Sequence, residues 1–334
     1  MMGTLAYVSD EEPGIRRRRR GRGFSYTLPD GAPVRDPETL DRIAALAVPP
    51  AWRQVWICLD PKGHLQATGL DDRDRKQYRY HPDWEEERRA LKYDSLQEFG
   101  RALPRIRRRV RQDLQRELPS AEALLATMVS LIDKTRIRVG KRRYAKENRT
   151  YGAVTLLKNH VELPKDGVVR LRFRGKGGTV EEYELRDRAL FEALDELTEI
   201  PGRELFAWRD EAGEACRIET GRLNAYLSEI AGVSTSAKMF RTWGGSVAAF
   251  EAARTALVRD EALRVKTICD AAASVLHNTP AVCRTSYVHP AVLSLAGDDR
   301  ETIVAGLQRA GSARGRSGLL ASEARFLAFL DEVA

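Results

Sequence analysis

The chain has 334 residues, of which 43% are hydrophobic and 31% are charged, values typical of a globular protein long enough for two domains. A net charge of +8 and a pI of about 9.4 favour a polyanionic partner, with nucleic acid before an acidic membrane. No apolar run approaches the ~18 residues of a membrane-spanning helix, and the four scattered cysteines, without CxxC spacing, argue against a zinc site and a disulfide framework.

The amino-terminal stretch MMGTLAYVSDEEPG is acidic and lacks a long apolar core, so it does not resemble a secretory signal. The sequence also lacks a GxxxxGK[ST] loop, which argues against nucleotide hydrolysis. We therefore expect a reduced, cytoplasmic protein that uses neither a nucleotide nor a membrane.

Residues 14–23, GIRRRRRGRG, form a charge run with flexible glycines, and we interpret residues 1–23 as a basic flexible arm that can bind phosphates without fixed structure. The following stretch WRQVWICLDPKGHLQATGLD predicts two short strands around a DPKG turn. Charged helical patterns begin at Asp83. The sequence thus predicts a small β-containing domain at residues 24–90 and a larger, mostly helical domain at residues 91–334.

Two cationic segments stand out in the second domain. KTRIRVGKRRYAKENR follows a predicted helix and carries eight lysines and arginines, which repel one another unless an anion lies between them. DGVVRLRFRGKGGTVEEYEL predicts a hairpin with an apolar face and an arginine face, and those arginines could pair with Glu182 and Glu184 across the strands. Lys176 lies at the hairpin tip, where the turn requires the glycines but not the lysine, although exposed turns commonly carry one.

STSAKMFRTWGGSVAAF predicts a helix whose buried side carries Phe240, Trp243, Val247 and Phe250, with Arg241 beside that stripe. An arginine in such a place is usually a surface residue whose stem lies along apolar groups.

A later helix, EALRVKTICDAAASVL, is broken at Thr279-Pro280 in the stretch HNTPAVCRTSY. Tyr287 lies just past this break and belongs to no apolar stripe. We expect His277 to be a surface or helix-end residue.

The chemistry that these side chains share is phosphoryl transfer. Arg138 and Arg241 suit the equatorial oxygens of an attacked phosphodiester, because a guanidinium binds them bidentately and keeps its protons. Tyr287 can supply a nucleophilic hydroxyl, and Lys176 can protonate the departing sugar oxygen. Asn278 offers a neutral amide donor. No metal or other cofactor is required. Taken singly, each such residue is most often structural, so the hypothesis rests on their conjunction.

The segments IRVGKRRYAKEN, RFRGKGG, KMFRTWGG and HNTPAVCRTSY, with QYRYHP in the amino domain, together resemble the type IB DNA topoisomerases of the compact poxvirus and bacterial kind, from about residue 24 to residue 290. The resemblance implies an α+β fold, in which a small β-rich amino domain precedes a larger, mostly α-helical catalytic domain with a small antiparallel sheet, similar to the tyrosine recombinase catalytic fold.

Carried over by position, the resemblance implies catalytic roles for Arg138, Lys176, Arg241 and Tyr287, with Tyr287 forming a 3′-phosphotyrosyl link. Asn278 stands where many relatives have histidine. An asparagine can donate a hydrogen bond to the phosphate, but it cannot shuttle protons.

The resemblance also implies that a monomer clamps double-stranded DNA, as a protein associated with the nucleoid. It places the QYRYHP segment in the major groove, where glutamine can read an adenine edge and neighbouring cations hold phosphates. The implied DNA-binding residues are Gln77, Tyr78 and Tyr80 in the amino domain, and Lys141, Arg143 and Tyr144 near the scissile phosphate.

The sequence leaves two other functional interpretations open. A tyrosine site-specific recombinase shares the arginine, lysine and tyrosine chemistry, but recombinases typically show HxxR where this chain has the KxxR of Lys238 to Arg241, and they usually begin with a helical domain. A basic DNA-binding protein without activity would explain the charge, yet it would leave Lys176 and Tyr287 without a role.

Overall fold

The computed structural model describes residues 5–165, 167–209, 214–297 and 318–333. The chain forms two compact units, Met1–Lys92 and Tyr93–Ala334, and each has its own hydrophobic core. The sequence predicts the boundary near residue 90. Within the described ranges, no helix is long and apolar enough to cross a membrane.

The first unit is built on an antiparallel sheet of five strands in the order β2-β1-β3-β4-β5. The strands are β1 (Ile15–Arg20), β2 (Gly23–Thr27), β3 (Arg53–Ile57), β4 (Leu65–Leu70) and β5 (Lys76–Tyr80). Helix α1 (Pro37–Ala45) begins after Asp36, whose side chain accepts a hydrogen bond from the backbone N–H of Thr39. The predicted pair of strands around the DPKG turn is confirmed, since β3 and β4 are paired.

The arginine run shows that the prediction of a flexible arm was wrong for Ile15–Arg20. This segment is strand β1, paired with β2 on one side and with β3 on the other. Ile15 is 1% exposed in the core, and the Arg17 guanidinium donates three hydrogen bonds of 2.7 to 3.1 Å to carbonyls of residues 48–52. Backbone pairing and these bonds order a charge run that would be solvated if it stood alone.

In the residues that the structure describes, the second unit is mostly helical and contains two small sheets. Helix α2 (Pro82–Asp113) begins in the first unit and ends in the second. The other helices are α3 (Ala121–Thr135), α4 (Arg142–Asn148), α5 (Arg188–Glu199), α6 (Thr220–Ala231), α7 (Lys238–Val258), α8 (Val265–Leu276), α9 (Pro280–Ser286), α10 (Pro290–Ser294) and α11 (Ala321–Val333). The strands are β6 (Val161–Glu162), β7 (Val168–Arg174), β8 (Val180–Arg186), β9 (Ala207–Arg209) and β10 (Ala215–Arg217), in the antiparallel sheets β6-β7-β8 and β9-β10.

The core of the second unit surrounds α3 and α7. Helix α3 is buried along most of its length, as expected of a helix that is apolar on nearly every side. The four apolar residues predicted for α7 are all buried, and Trp243 and Phe250 pack against Phe326 of α11 at ring distances of 5.1 and 5.5 Å. The predicted α+β class, with a β-rich first unit and a helical second unit, is confirmed.

Candidate active site

Arg138 lies in an extended segment that follows α3. The helix ends at Arg136, which adopts a left-handed conformation with φ of 58°. The carbonyl of Arg138 then accepts a hydrogen bond of 2.8 Å from the N–H of Ala153. A Cβ at Gly152 would lie 2.4 Å from that carbonyl oxygen, so only glycine permits this approach. The backbone that carries Arg138 is therefore fixed, and its side chain is 20% exposed.

The hairpin of β7 and β8 carries Lys176 in the turn between its strands, where the residue is exposed. On the outward face, Arg170 pairs with Glu184 at 2.7 Å and Arg172 pairs with Glu182 at 3.0 Å. The cross-strand pairing with Glu182 and Glu184 that the sequence predicted is therefore present for these two arginines.

Arg241 lies in the first turn of α7 and is 3% exposed, so it is a buried residue and not a surface one. Its Nη2 donates to the carbonyl of Leu276 at 2.8 Å, and its Nη1 donates to the carbonyl of Arg136. Its Nε is buried and has no hydrogen-bond partner among the described residues. Burial lowers the pKa of Arg241, as does the like charge of Arg138, and the neighbouring Tyr287 acts in the opposite direction.

Tyr287 is half-buried at the end of α9, with its ring beneath Arg241. The guanidinium carbon of Arg241 lies 5.2 Å from the centroid of the ring. The backbone of Tyr287 is held on both sides, because its N–H donates to Cys283 at 3.0 Å and its carbonyl accepts from the Ser246 hydroxyl at 2.9 Å. Helices α7 and α9 thus bring a buried cation and an aromatic hydroxyl residue together.

Asn278 follows the carboxyl end of α8. The helix ends at His277, a helix-end residue as expected, with φ of 47°, and the N–H of Asn278 donates to the carbonyl of Ala273 at 3.1 Å. The side-chain oxygen of Asn278 accepts from the N–H of Thr279 at 3.2 Å. Its amide nitrogen is then the group left to donate.

Glu181 and Tyr183 of β8 are site residues that the sequence reasoning missed. Glu181 is 3% exposed. It accepts hydrogen bonds from Nη1 of Arg138 at 2.9 Å and from the Tyr183 hydroxyl at 2.6 Å. The period of two along a strand could have revealed them, since the pattern that turns Glu182 and Glu184 outward also turns Glu181 and Tyr183 inward.

These contacts bring the candidate catalytic segments together. Arg241 bonds the carbonyls of Arg136 and Leu276, which are two residues before Arg138 and Asn278 respectively, and covers Tyr287. The hairpin that bears Lys176 is joined to Arg138 by Glu181.

The candidate DNA-binding residues of the first unit lie on β5, an edge strand. Tyr78 and Tyr80 are 46% and 37% exposed, and their rings stack with centroids 6.0 Å apart. Gln77 points to the opposite face by strand alternation, and its amide nitrogen donates to Asp71 at 2.8 Å. The two tyrosines and the glutamine therefore do not share one face.

The candidate DNA-binding residues of the second unit lie on α4 and are exposed. Lys141 stands before the first turn, with its ammonium 6.0 Å from the centroid of the Tyr144 ring. Arg143 pairs with Glu147 at 2.8 Å. In the part of the chain that the structure describes, no group of three or more His, Cys, Asp or Glu side chains could hold a metal ion.

Comparison with known protein families gives two matches that together extend over most of the chain. A family model described as the catalytic core of eukaryotic DNA topoisomerase I matches residues 81–308. A model described as the N-terminal domain of bacterial DNA topoisomerase IB matches residues 23–71. The chain belongs to the type IB DNA topoisomerase family. The resemblance that the sequence motifs indicated is confirmed.

Two viral relatives of this type IB topoisomerase match it over different lengths. The DNA topoisomerase 1B of Acanthamoeba polyphaga mimivirus is 30% identical over 302 residues, which cover 87% of this chain and 90% of the viral protein. The DNA topoisomerase 1B of vaccinia virus (strain Copenhagen) is 27% identical over 140 residues, 42% of this chain and 44% of that protein. A solved structure of the XerH site-specific recombinase bound to palindromic difH substrate aligns with 56% of this chain and 47% of its own, at 16% identity and a TM-score of 0.36.

Proposed function

We propose that this topoisomerase relaxes supercoiled DNA by nicking and resealing one strand through Tyr287. The tyrosyl oxygen attacks a backbone phosphorus, so that a 3′-phosphotyrosyl bond forms while the bond from phosphorus to the 5′ oxygen breaks. The tyrosyl proton is lost and the 5′ oxygen takes up a proton. The duplex swivels about the intact strand, and the reverse reaction reseals the nick. Because the phosphotyrosyl ester conserves the bond energy, no nucleotide is consumed.

The observation that carries this proposal is the buried guanidinium of Arg241 over the Tyr287 ring. An arginine that is 3% exposed and fixed by two carbonyl groups is already oriented before the substrate arrives. Fixed donors stabilise a transition state more than mobile ones, since they need no reorganisation during the reaction. Arg138, on its own fixed backbone, is the second clamp for the equatorial oxygens.

Lys176 and Asn278 complete the proposed chemistry. The exposed hairpin turn lets the Lys176 ammonium reach the departing 5′ oxygen and protonate it. The side-chain oxygen of Asn278 accepts from the N–H of Thr279, and the amide nitrogen donates to a non-bridging phosphate oxygen.

DNA binding by a monomer is the remaining part of the proposal. The exposed tyrosine pair of β5 and the exposed cations of α4 supply stacking surfaces and phosphate contacts. In this proposal one monomer clamps the duplex. Sedimentation of the active enzyme on a short duplex would measure the stoichiometry, and activity confined to a tetramer would favour a recombinase instead.

The decisive experiment replaces Tyr287 with phenylalanine. Since only a hydroxyl is lost, non-covalent DNA binding should stay close to that of the parent, while relaxation and the covalent DNA complex on denaturing gels should both disappear. Tyr226→Phe is the matched control, because it removes a hydroxyl that bonds Asp113 at 2.8 Å, and it should still form the complex. A covalent complex that persists in Tyr287→Phe would overturn the assignment.

The source of the positive charge gives a second test. Side chains supply the cations in this mechanism, so cleavage should continue in EDTA and without ATP. Divalent ions can still speed turnover by weakening product binding at a phosphate interface. A strict requirement for a metal ion in the cleavage step itself would contradict the mechanism.

A further inference from the structure

Glu181 is a buried carboxylate in contact with Arg138, one of the candidate catalytic residues. It is 3% exposed, and its two oxygens accept from different partners, Oε1 from Nη1 of Arg138 at 2.9 Å and Oε2 from the Tyr183 hydroxyl at 2.6 Å. A buried charge is costly unless it is paired and hydrogen-bonded. The ion pair with Arg138 therefore both stabilises Glu181 and restrains the guanidinium.

The backbone of the hairpin turn packs closely against this carboxylate. A Cβ on Gly175 would lie 2.1 Å from Oε1 of Glu181, so the backbone just before Lys176 rests directly on the oxygen that Arg138 bonds. The N–H of Gly175 in turn donates to the carbonyl of Thr179 at 2.8 Å and closes the turn. One carboxylate thus contacts both the turn that carries Lys176 and the side chain of Arg138.

Tyr183 extends the contacts of Glu181 to a third segment. Its ring stacks on His277 with centroids 4.8 Å apart and planes inclined by 10°, and His277 immediately precedes Asn278. Burial raises the pKa of Tyr183, as does its hydrogen bond to Glu181. Its hydroxyl therefore stays protonated and continues to donate to Glu181 at neutral pH.

We propose that Glu181 is a positioning residue for strand cleavage, which holds Arg138 in its catalytic orientation and ties it to the Lys176 turn and, through Tyr183, to the segment of Asn278. This inference rests on the proposed function, because it assigns Glu181 a task only if Arg138 acts on the phosphate. A guanidinium has five N–H donors, and Glu181 occupies one of those on Nη1, which leaves donors for phosphate oxygens.

Two physical effects make an anion suitable at this position. A charge-assisted bond restrains a long, flexible arginine more firmly than a neutral bond does. The negative charge also offsets the repulsion between Arg138 and Arg241, which is evident in the effect of Arg138 on the pKa of Arg241. Without Glu181, both the direction of Arg138 and the spacing of the two cations would change.

The experiment measures single-turnover cleavage by Glu181→Ala and Glu181→Gln. A misplacement of about 1 Å costs on the order of 10²-fold in rate, so we expect Glu181→Ala to slow cleavage by about that factor with little change in DNA affinity. Glu181→Gln keeps an oxygen that can accept from Arg138 but lacks the negative charge, so it should recover only part of the lost rate. Glu182→Gln is the matched control on the same strand, with its side chain outward and paired to Arg172, and it should cleave at the parent rate.

A double-mutant cycle separates positioning from a general loss of structure. If Glu181 acts through Arg138, the variant with both Glu181→Ala and Arg138→Ala should be no slower than Arg138→Ala alone. Multiplying effects in the double variant would overturn the inference, as would a parent-like rate in Glu181→Ala. Should Glu181→Ala fail to fold, Glu181→Gln takes its place in the cycle with the same expected non-additivity.

The proposed function is tested separately by Tyr287→Phe. If Glu181→Ala cleaves normally while Tyr287→Phe forms no covalent complex, the positioning role fails and the proposed function stands. A covalent complex in Tyr287→Phe would instead contradict the proposed function, whatever the Glu181 variants do.

Discussion

The carboxylate of Glu323 accepts two hydrogen bonds from the guanidinium of Arg107, at 2.6 and 2.8 Å. Glu323 belongs to α11 and is 1% exposed, and its Oε1 also accepts from the indole N–H of Trp243 at 3.2 Å. Arg107 bonds Asp133, which in turn pairs with Arg136 at 3.0 Å. This buried network therefore supports Arg136, the residue whose carbonyl accepts from Arg241.

Loss of the Glu323 charge should destabilise the second unit. Removing one partner of a buried ion pair costs ~3 kcal/mol or more, because it leaves an uncompensated charge, and for a unit of this size that corresponds to a fall in melting temperature of roughly 6 to 12 °C. Glu323→Gln should show this fall in a calorimetric scan. Asp331→Asn is the control on the same helix, since its pair with Arg101 is exposed and should contribute ~1 kcal/mol or less. Equal melting temperatures for the two variants would refute the prediction.

The hairpin of β7 and β8 was predictable from the sequence alone, whereas the strand formed by the arginine run was not. Local patterns predicted the hairpin, the buried side of α7 and the strand pair in the first unit, because each follows from periodicity and turn residues. Periodicity and turn residues could not predict that Ile15–Arg20 forms an ordered strand. It depends on pairing with β3, a strand distant in sequence, and on carbonyls of residues 48–52 that accept from Arg17.

In the candidate site, too, the sequence predicted the features that are local but not those that depend on distant segments. The identities of Arg138, Lys176, Arg241 and Tyr287 come from motifs, which are local. The burial of Arg241 and the role of Glu181 depend on contacts between segments far apart in the chain, such as the bond from Glu181 to Arg138. A pattern of alternating residues can place Glu181 on the inward face, but it cannot name the arginine that meets it.

The side chain of Asp71 orients the amide of Gln77. A base preference that depends on Gln77 should therefore depend on Asp71 as well. Asp71 can only accept, so it bonds the amide nitrogen, which leaves one N–H and the oxygen to read an adenine edge. The Arg75 hydrogen bond lowers the pKa of Asp71, so its carboxylate is charged at neutral pH. If Gln77 reads a base, as the family resemblance implies, Gln77→Ala should remove the preference at one position and Asp71→Ala should weaken it there.

Mapping of cleavage sites on plasmid DNA would measure that preference. Asp74→Ala is the control from the same turn, because Asp74 pairs with the exposed Arg53 and not with the glutamine. A bidentate contact discriminates by roughly 1–3 kcal/mol, so the base preference should fall by about 5-fold to 160-fold in Gln77→Ala. Unaltered frequencies in Asp71→Ala would mean that Gln77 needs no such orientation.

Asn278 should contribute as a hydrogen-bond donor and not as an acid or a base. Loss of one donor to a developing oxyanion costs about 10²-fold to 10³-fold in rate, so Asn278→Ala should slow cleavage by that amount. Asn278→His should be tolerated, because an imidazole N–H can also donate. Asn159→Ala, at an exposed asparagine of the same unit, serves as the control. A parent-like rate for Asn278→Ala would remove the residue from the site.

Lys176 allows general acid catalysis to be separated from charge stabilisation. The alkoxide that leaves ordinary DNA is a very poor leaving group, so Lys176→Ala should severely slow cleavage if the ammonium protonates the 5′ oxygen. A substrate with sulfur at that bridging position expels a much less basic thiolate, which needs little protonation. On this substrate Lys176→Ala should cleave almost as fast as the parent enzyme. Lys165→Ala, at an exposed lysine just before the hairpin, should match the parent on both substrates.

The arginines give the contrast that makes the Lys176 result specific. Arg138→Ala and Arg241→Ala lose contacts to the equatorial oxygens, which are unchanged by sulfur at the bridging position, so both should gain much less from the sulfur substrate. An arginine that also relays a proton would show partial rescue. Rates would be measured in single-turnover reactions, which isolate the chemical step from religation and release. If sulfur failed to rescue Lys176→Ala, the lysine would be an electrostatic clamp or a structural turn residue, and the general acid would have to be another group.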